Sequence, residues 1–443
     1  MRTRRIAALL GAGLLTAAAQ LACSPPATAA PAPQDVREQL ERIPGMTVVS
    51  AAEREGSPYY TLSYRQPVDH ADPAQGTFAQ RLTLWHKVAD GPTVLYTGGY
   101  VLDSGPTQLT RLLGANQVSV EHRYFGQSRP TGAARDDWSR LTVWQEASDE
   151  HRLTRALRSI ERGRWLGTGV SKGGMTATYH ERYYPDDLDA VVAFVAPNDA
   201  DHRGDSGYER FFATVGTARC RAALNAVQRE MLLRRAALLP RFADDAATTG
   251  ARFEQTLGTA DRAYEFAVLD QVWNFWQSGD AADCTGVPDA RAASDDALYT
   301  WSKAHGLRLY RDQTLGEHGT GPYYRQAATQ LGWADLAFAH LRDVRRHQDL
   351  YQPNSLLPAA MRGSYDPTAI ADVDRWVRTR GERMMFVYGQ NDPWSAEQFT
   401  PSRHDSHRFV APGANHTASL ASLPAGRRGQ AVATIKRWAA VKD

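Results

Sequence analysis

Trp165-Leu166-Gly167-Thr168-Gly169-Val170-Ser171-Lys172-Gly173-Gly174-Met175 runs from an apolar strand into a helix through the pattern G-x-S-x-G. A serine held in so sharp a strand-to-helix turn needs neighbours without side-chain bulk, and Gly169 and Gly173 supply them. Ser171 then stands exposed at the end of a strand, with the backbone N–H of Lys172 aimed at the same reacting atom. The same five residues also make an ordinary glycine-rich turn in many chains, so the remainder of the sequence has to decide between the two.

Upstream, apolar and aromatic residues recur at helical spacing from Leu141 to Ile160 and lead through Gly163 into the elbow strand. Downstream, Met175 to Tyr184 continues as a helix that Pro185 stops, and Leu188 to Val195 reads as a strand buried on both faces. Earlier strands are expected at Tyr59 to Tyr64 and Phe78 to Lys87, an opening hairpin or edge pair around the turn formers of 66–73, and at Thr93 to Thr97 and Gln117 to His122. Strands alternating with helical spacers imply a largely parallel sheet.

From Gly204 to Trp376 the pattern changes to amphipathic helical segments, among them Ala222 to Leu239 and Ala327 to Val344. Strand character returns at Arg383 to Gly389 and His407 to Val410, and a closing helix is expected from Arg427 to Val441. The fold class this implies is α/β, an α/β-hydrolase with a large helical cap inserted in the sheet domain. The expected divisions are a signal peptide over 1–29, a core over 30–203, the cap over 204–376 and the remainder of the core over 377–443.

A serine hydroxyl is a weak nucleophile unless a base removes its proton as it attacks, and the base needs a carboxylate to orient it. Asp392 directly follows a strand, and His416 lies in the glycine-containing loop after the next one. The chain order Ser171, Asp392, His416 is that of the α/β-hydrolases. Asp199 and Asp201 are rival acids; His404 and His407 are rival bases but stand at the wrong end of their strand. The group His404-Asp405-Ser406-His407 lacks the further ligands of a metal site, and no metal or cofactor is expected. Donors for an oxyanion are expected from the N–H of Gly99 or Tyr100, after the Thr93 to Thr97 strand, together with that of Lys172. The sequon Asn415-His416-Thr417 reads as accidental, because a glycan there would block the base.

The chain has 443 residues, 42% hydrophobic and 23% charged, enough for a sizeable core. A formal charge of +2 excludes a broad nucleic-acid footprint. Arg2, Arg4 and Arg5 precede an apolar run from Ile6 to Leu21 and the small residues Pro26-Ala27-Thr28-Ala29-Ala30, the form of a secretory signal cleaved after Ala29. That run is short of the roughly 20 residues of a spanning helix, so no membrane association is expected after its removal. Arg4-Arg5 is weakly like a twin-arginine signal; Cys23 suggests a lipoprotein, but Gln20 stands where an aliphatic residue is wanted. Removal of Cys23 with the signal leaves Cys220 and Cys284, expected to form one disulfide in an extracellular, oxidising compartment.

Several segments resemble the secreted bacterial prolyl tri/tetrapeptidyl aminopeptidases, relatives of the prolylcarboxypeptidase and dipeptidyl peptidase 7-type enzymes. They are Gln66-Pro67-Val68-Asp69-His70, Gln80-Arg81, Glu121-His122-Arg123-Tyr124-Phe125-Gly126-Gln127-Ser128, Gly169 to Met175 and Asp392-Pro393-Trp394. The resemblance implies a serine exopeptidase that removes tri- or tetrapeptides from N-termini and prefers proline at the attacked carbonyl, with Ser171, Asp392 and His416 as its triad. Peptides are the expected partners of a monomeric protein. Proline is a compact ring without an N–H, so aromatic walls suit it, and Trp273, Phe275 and Trp276 are candidates. Glu121 and Glu317 are candidates for holding the substrate's ammonium. Gly98-Gly99-Tyr100 departs from the family pattern, which would place an acidic residue there. A secreted carboxylic-ester hydrolase is the alternative, since the same triad serves esters, and a non-catalytic binding protein on a hydrolase fold is a more distant one.

Overall fold

In Ala190-Val191-Val192-Ala193-Phe194 successive side chains enter different cores. Val191 and Ala193 pack on one face of a sheet, and Ala190, Val192 and Phe194 on the other. Met384 and Phe386 alternate with Met385 and Val387 in the same way. Period-two alternation between two apolar layers is what a continuous apolar strand means in a parallel sheet covered on both sides.

The computed structural model describes residues 35–200 and 206–441. The signal segment, Cys23 and Asp201 lie outside them. The chain divides into a segment over 1–35 and a compact unit over 36–443, and the fold belongs to the latter. Its strands are β1 (Met46–Arg54), β2 (Ser57–Pro67), β3 (Thr77–Trp85), β4 (Thr93–Thr97), β5 (Asn116–Val120), β6 (Trp165–Val170), β7 (Ala190–Phe194), β8 (Met384–Gly389) and β9 (His407–Ala411). They form one sheet in the order β1-β2-β3-β5-β4-β6-β7-β8-β9. Pairing is antiparallel from β1 through β3 to β5 and parallel from β5 to β9. The crossovers at β4 and β6 bring the carboxyl ends of the parallel strands to one edge, where open α/β sheets place their sites. This is the α/β-hydrolase architecture.

β1 carries no strand signal in the sequence because most of its side chains face solvent at the sheet edge. Between β7 and β8 the described residues contain helices and no strand. The helix expected over Ala222 to Leu239 is two helices, Ala218–Leu233 and Arg235–Thr248. The one expected over Ala327 to Val344 ends at Leu331, where Gly332 turns to φ 85°. A Cβ there would come within 2.3 Å of Asp199 Oδ2, so the chain passes Asp199 only as glycine. Helix Thr368–Thr379 straddles the boundary expected at 376 and buries Ile370, Val373 and Val377 in the sheet's own core. None of the described helices is long and apolar enough to cross a membrane.

Cys220 and Cys284 are joined, as expected, across a sequence separation of 64. On chain-entropy grounds a loop of that length stabilises the fold by about 4 kcal/mol. The double variant Cys220→Ala/Cys284→Ala is therefore expected to lose about 3 to 4 kcal/mol in urea unfolding; an unchanged midpoint would count against this.

Candidate active site

Ser171 sits at φ 57° and ψ −126° between β6 and helix Lys172–Tyr183. Such a backbone costs about 1 to 3 kcal/mol for a residue with a side chain, and its surroundings fix it. The Ser171 N–H donates to the Phe194 carbonyl at 2.8 Å, and its own carbonyl accepts from the Met175 N–H at 3.0 Å. A Cβ on Gly169 would lie 2.1 Å from the Gly173 carbonyl carbon, and one on Gly173 would lie 2.1 Å from the Thr97 carbonyl oxygen. Both glycines are thus required by backbone-to-backbone contact, as the motif predicts.

At the end of β8, Asp392 is fully buried. Its Oδ1 accepts the Trp394 N–H (3.1 Å) and its Oδ2 the Ser395 hydroxyl (2.6 Å). His416 Nδ1 lies 2.9 Å from both carboxylate oxygens. The His416 loop is tied to helix Ala260–Ser278, since the His416 N–H donates to the Gln277 carbonyl (3.2 Å) and the Asn415 amide to the Gly279 carbonyl (2.9 Å). Asn415 Oδ1 in turn accepts from Thr417 N–H and Oγ1, so the side chain of the sequon is occupied. His404 and His407 lie before and at the start of β9, the end of the strand away from Ala411. Asp199 follows β7 and lies against Gly332.

The loop Gly98-Gly99-Tyr100 packs directly on the elbow helix: a Cβ on Gly99 would be 2.9 Å from Gly173 N and from the Lys172 carbonyl carbon. Gly99 N–H donates to Thr97 Oγ1 at 3.3 Å. The N–H groups of Tyr100 and Lys172 have no acceptor among the described residues. Of the two alternatives in that loop, Tyr100 is therefore the free donor beside Lys172.

A family model described as PS-10 peptidase S37 matches residues 29–443. The chain belongs to peptidase family S37. A prolyl tri/tetrapeptidyl aminopeptidase of Streptomyces mobaraensis is 46% identical over 439 residues, 98% of this chain and 89% of that protein. A thymus-specific serine protease of Homo sapiens is 29% identical over 154 residues, 31% of this chain and 30% of that one. The proline iminopeptidase structure from Mycobacterium smegmatis aligns over 85% of this chain and 99% of its own at 13% identity and a TM-score of 0.37. The S37 chain is accordingly a serine peptidase.

The aromatic candidates of this S37 peptidase separate by helix face. At about 100° per residue, positions 270, 273, 274 and 277 share one side of helix Ala260–Ser278, and 275 and 276 lie off it. Trp273 meets Trp394 edge to face at 4.7 Å between ring centroids, and Trp394 lies 6.2 Å from His416. Trp394 Nε1 donates to Gln277 Oε1 at 2.9 Å, which fixes that indole between helix and base. Phe275 and Trp276 instead pack with Val215, Cys220 and Leu224 in a buried cluster around the disulfide. Trp333, 6.0 Å from Trp394 between ring centroids, is a further aromatic neighbour that the sequence did not single out. Irregular backbone surrounds it, with no periodicity to mark its direction.

Both acidic candidates are engaged by groups of the protein itself. Glu121 Oε1 accepts the Leu102 N–H (3.1 Å), while Oε2 accepts the N–H groups of Gln127 and Ser128 and the Ser128 hydroxyl. Its carboxylate holds the 121–128 loop in shape, and a Cβ on Gly126 would collide with it at 2.1 Å. Glu317 pairs with Arg135 (2.7 Å) and His318 (2.9 Å).

Behind the elbow lies a buried ionic cluster that sequence reading also missed. Lys172 Nζ is 3.8 Å from Glu146 Oε1, an ion-pair distance too long for a hydrogen bond, and 5.6 Å from the ring centroids of Tyr100 and Phe125. Glu146 also meets His122, Thr176 and Gln326. Burial draws the Lys172 ammonium down to about 8. Burial works to raise the Glu146 carboxyl, but His122 and Lys172 outweigh it and hold it at about 2. One turn on, His180 lies between Glu150 (3.3 Å) and Asp187 (2.9 Å). Burial opposes its charge, yet these two carboxylates raise it from 6.5 to about 9.

A raised histidine stabilises the fold fully below its unfolded value and loses that contribution as pH rises through the folded one. Stability is expected to fall by about 2 kcal/mol between about pH 6 and 8. Above that, Lys172 works in the opposite sense, because its depressed value makes the unfolded chain the better proton binder. Urea unfolding of Ser171→Ala across this range, beside Ser171→Ala/His180→Gln, checks the assignment; equal slopes in both would refute it.

Proposed function

We propose that this S37 peptidase is a secreted exopeptidase that releases tri- or tetrapeptides from N-termini, with proline preferred at the attacked carbonyl. Its 46% identity over nearly the whole chain to a prolyl tri/tetrapeptidyl aminopeptidase supports the substrate class. The observation that carries the chemistry is the buried Asp392 bonded to His416 Nδ1, at the strand edge where Ser171 sits in its elbow.

In this reading Asp392 holds the Nδ1–H of His416, and Nε2 takes the Ser171 proton as Oγ attacks the prolyl carbonyl. The N–H groups of Tyr100 and Lys172 receive the oxyanion, each worth about 3 to 4 kcal/mol of transition-state stabilisation. His416 then protonates the leaving amine, and water hydrolyses the acyl-enzyme by the reverse sequence of proton transfers. Trp273, Trp333 and Trp394 offer the flat apolar surfaces that a proline ring needs, without requiring a hydrogen bond from it. The helical segment from Ser206 to the start of helix Thr368–Thr379 serves as the cap over this pocket. Residues 1–29 direct export, which the disulfide accords with.

Chromogenic amides of Ala-Ala-Pro, Ala-Pro and Pro, compared with short acyl esters, test the reading with Ser171→Ala as control. Ala-Ala-Pro is expected to be cleaved best and Ser171→Ala to lose about a millionfold. Ester turnover without peptide turnover would sink the peptidase assignment.

A further inference from the structure

The side chain of Lys172 takes no part in the chemistry above, yet it is almost wholly buried, and its Nζ makes no hydrogen bond among the described residues. Burial lowers its pKa to about 8, so the ammonium is still charged at neutral pH. A buried cation without hydrogen bonds is costly, and apolar packing in place of a buried ion pair often leaves a fold no less stable. Stability alone is therefore a poor reason for a lysine at this place.

The contacts of the ammonium lead to the oxyanion loop. The Glu146 carboxylate is at 3.8 Å, and the ring centroids of Tyr100 and Phe125 are each at 5.6 Å, within reach of a cation–π contact. Glu146 is itself fixed by the Thr176 hydroxyl of the elbow helix, by His122 and by Gln326 (3.3 Å) of the inserted segment. The two rings meet edge to face at 5.5 Å, and Phe125 meets His122 in the same manner at 5.4 Å. The His122 N–H donates to the Tyr100 carbonyl at 2.9 Å, which ties the backbone of Tyr100 to the loop that carries Phe125. Lower on the side chain, Lys172 Cγ packs so closely on Gly99 that a Cβ there would come within 2.9 Å of it.

Resting on the peptidase reading above, we infer that the Lys172 side chain is a positioning group for the oxyanion hole. Lys172 and Tyr100 each offer one backbone N–H to the oxyanion, and the side chain of the first grips the ring of the second. Glu146 anchors the ammonium, the ammonium holds the Tyr100 ring, and the ring fixes the N–H that has to converge with that of Lys172. An aliphatic side chain fills similar space but lacks the attraction of a cation for the ring face. The grip is in place before substrate arrives, and pre-organisation of this kind is what gives oxyanion donors their effect.

Lys172→Met keeps the backbone N–H and most of the stem and removes the charge. On the chromogenic amide of Ala-Ala-Pro, kcat is expected to fall by about 30-fold, less than for loss of a whole donor, while KM stays within about twofold of the parent. The aldehyde Ala-Ala-prolinal binds by addition of Ser171 Oγ to its carbonyl carbon, the serine proton passing to His416 and the carbonyl oxygen entering the hole. Its affinity is expected to fall by about the same factor as kcat, and that of the alcohol Ala-Ala-prolinol, which Ser171 cannot attack, by less than about twofold. Equal weakening of aldehyde and alcohol, the result of a merely structural lysine, overturns the inference, and so does a native kcat. If Lys172→Met does not fold, Tyr100→Leu carries the same test, since it keeps the N–H at position 100 and has no ring; kcat and aldehyde affinity are expected to fall together, and a native kcat there overturns the inference. Where both fold, the loss due to Lys172→Met is expected to shrink below about threefold in the Tyr100→Leu background, because the two substitutions remove one contact; full additivity overturns it. A native enzyme that turns over acyl esters but no peptide removes the peptidase reading. An equal fall in kcat on the ester then supports the positioning role, whose donors serve both substrates, and an unchanged ester kcat overturns it.

Discussion

Asp392→Asn is expected to lower kcat/KM on a proline peptide by about ten-thousandfold while leaving the melting temperature within a few degrees of the parent. The near-isosteric amide still offers Oδ1 to the Trp394 N–H and still meets the Ser395 hydroxyl, so the buried site keeps most of its hydrogen bonds. What it cannot do is accept from the imidazole through both atoms. The amide group presents a donor to His416 Nδ1, which now takes the acceptor role, and the proton moves to Nε2. An Nε2 that carries a proton cannot remove one from Ser171. The check is a steady-state assay beside a thermal melt. A loss below tenfold would show that the Asp392–His416 pair does not serve the reaction.

Gly173→Ala is expected to cost about a thousandfold in kcat/KM, comparable to deleting an oxyanion donor, and about 2 to 3 kcal/mol of stability. The new methyl would sit 2.1 Å from the Thr97 carbonyl oxygen and 3.0 Å from the Gly98 carbonyl carbon. Neither atom is the end of a flexible side chain. Relief requires the end of β4 to move off the elbow helix, and Tyr100, three residues beyond Thr97, moves with it. The N–H groups of Tyr100 and Lys172 then no longer converge. KM is expected to change less than kcat, because the misplaced donors act on the oxyanion and not on the bound ground state. A variant with native kcat would place the donors elsewhere.

Where burial is symmetrical, the chain announces itself. β6, β7 and β8 are covered on both faces, so they read as unbroken apolar runs, and the elbow glycines mark the turn between β6 and its helix. β1 was illegible because solvent lies over most of its side chains. The Ser171, Asp392 and His416 positions were legible for the same reason as the strands whose ends they follow. The pocket was not. Choosing Trp273 over Phe275 and Trp276 depends on how helix Ala260–Ser278 is rotated, and composition does not give a rotation. Glu121 reads as a free acid in the segment from Glu121 to Ser128, yet its partners are three backbone N–H groups and the Ser128 hydroxyl, and no side-chain pattern betrays the backbone donors.

Gln277 gives the enzyme a mechanical linkage. Its carbonyl holds the His416 backbone and its side-chain amide steadies Trp394, at the carboxyl end of the same rigid helix that carries Trp273. A rod fastened to the base at one end transmits to it whatever happens along its length. In the proposed mechanism a displacement of this helix would shift the proton acceptor together with Trp394, so that selection and turnover would share a single lever.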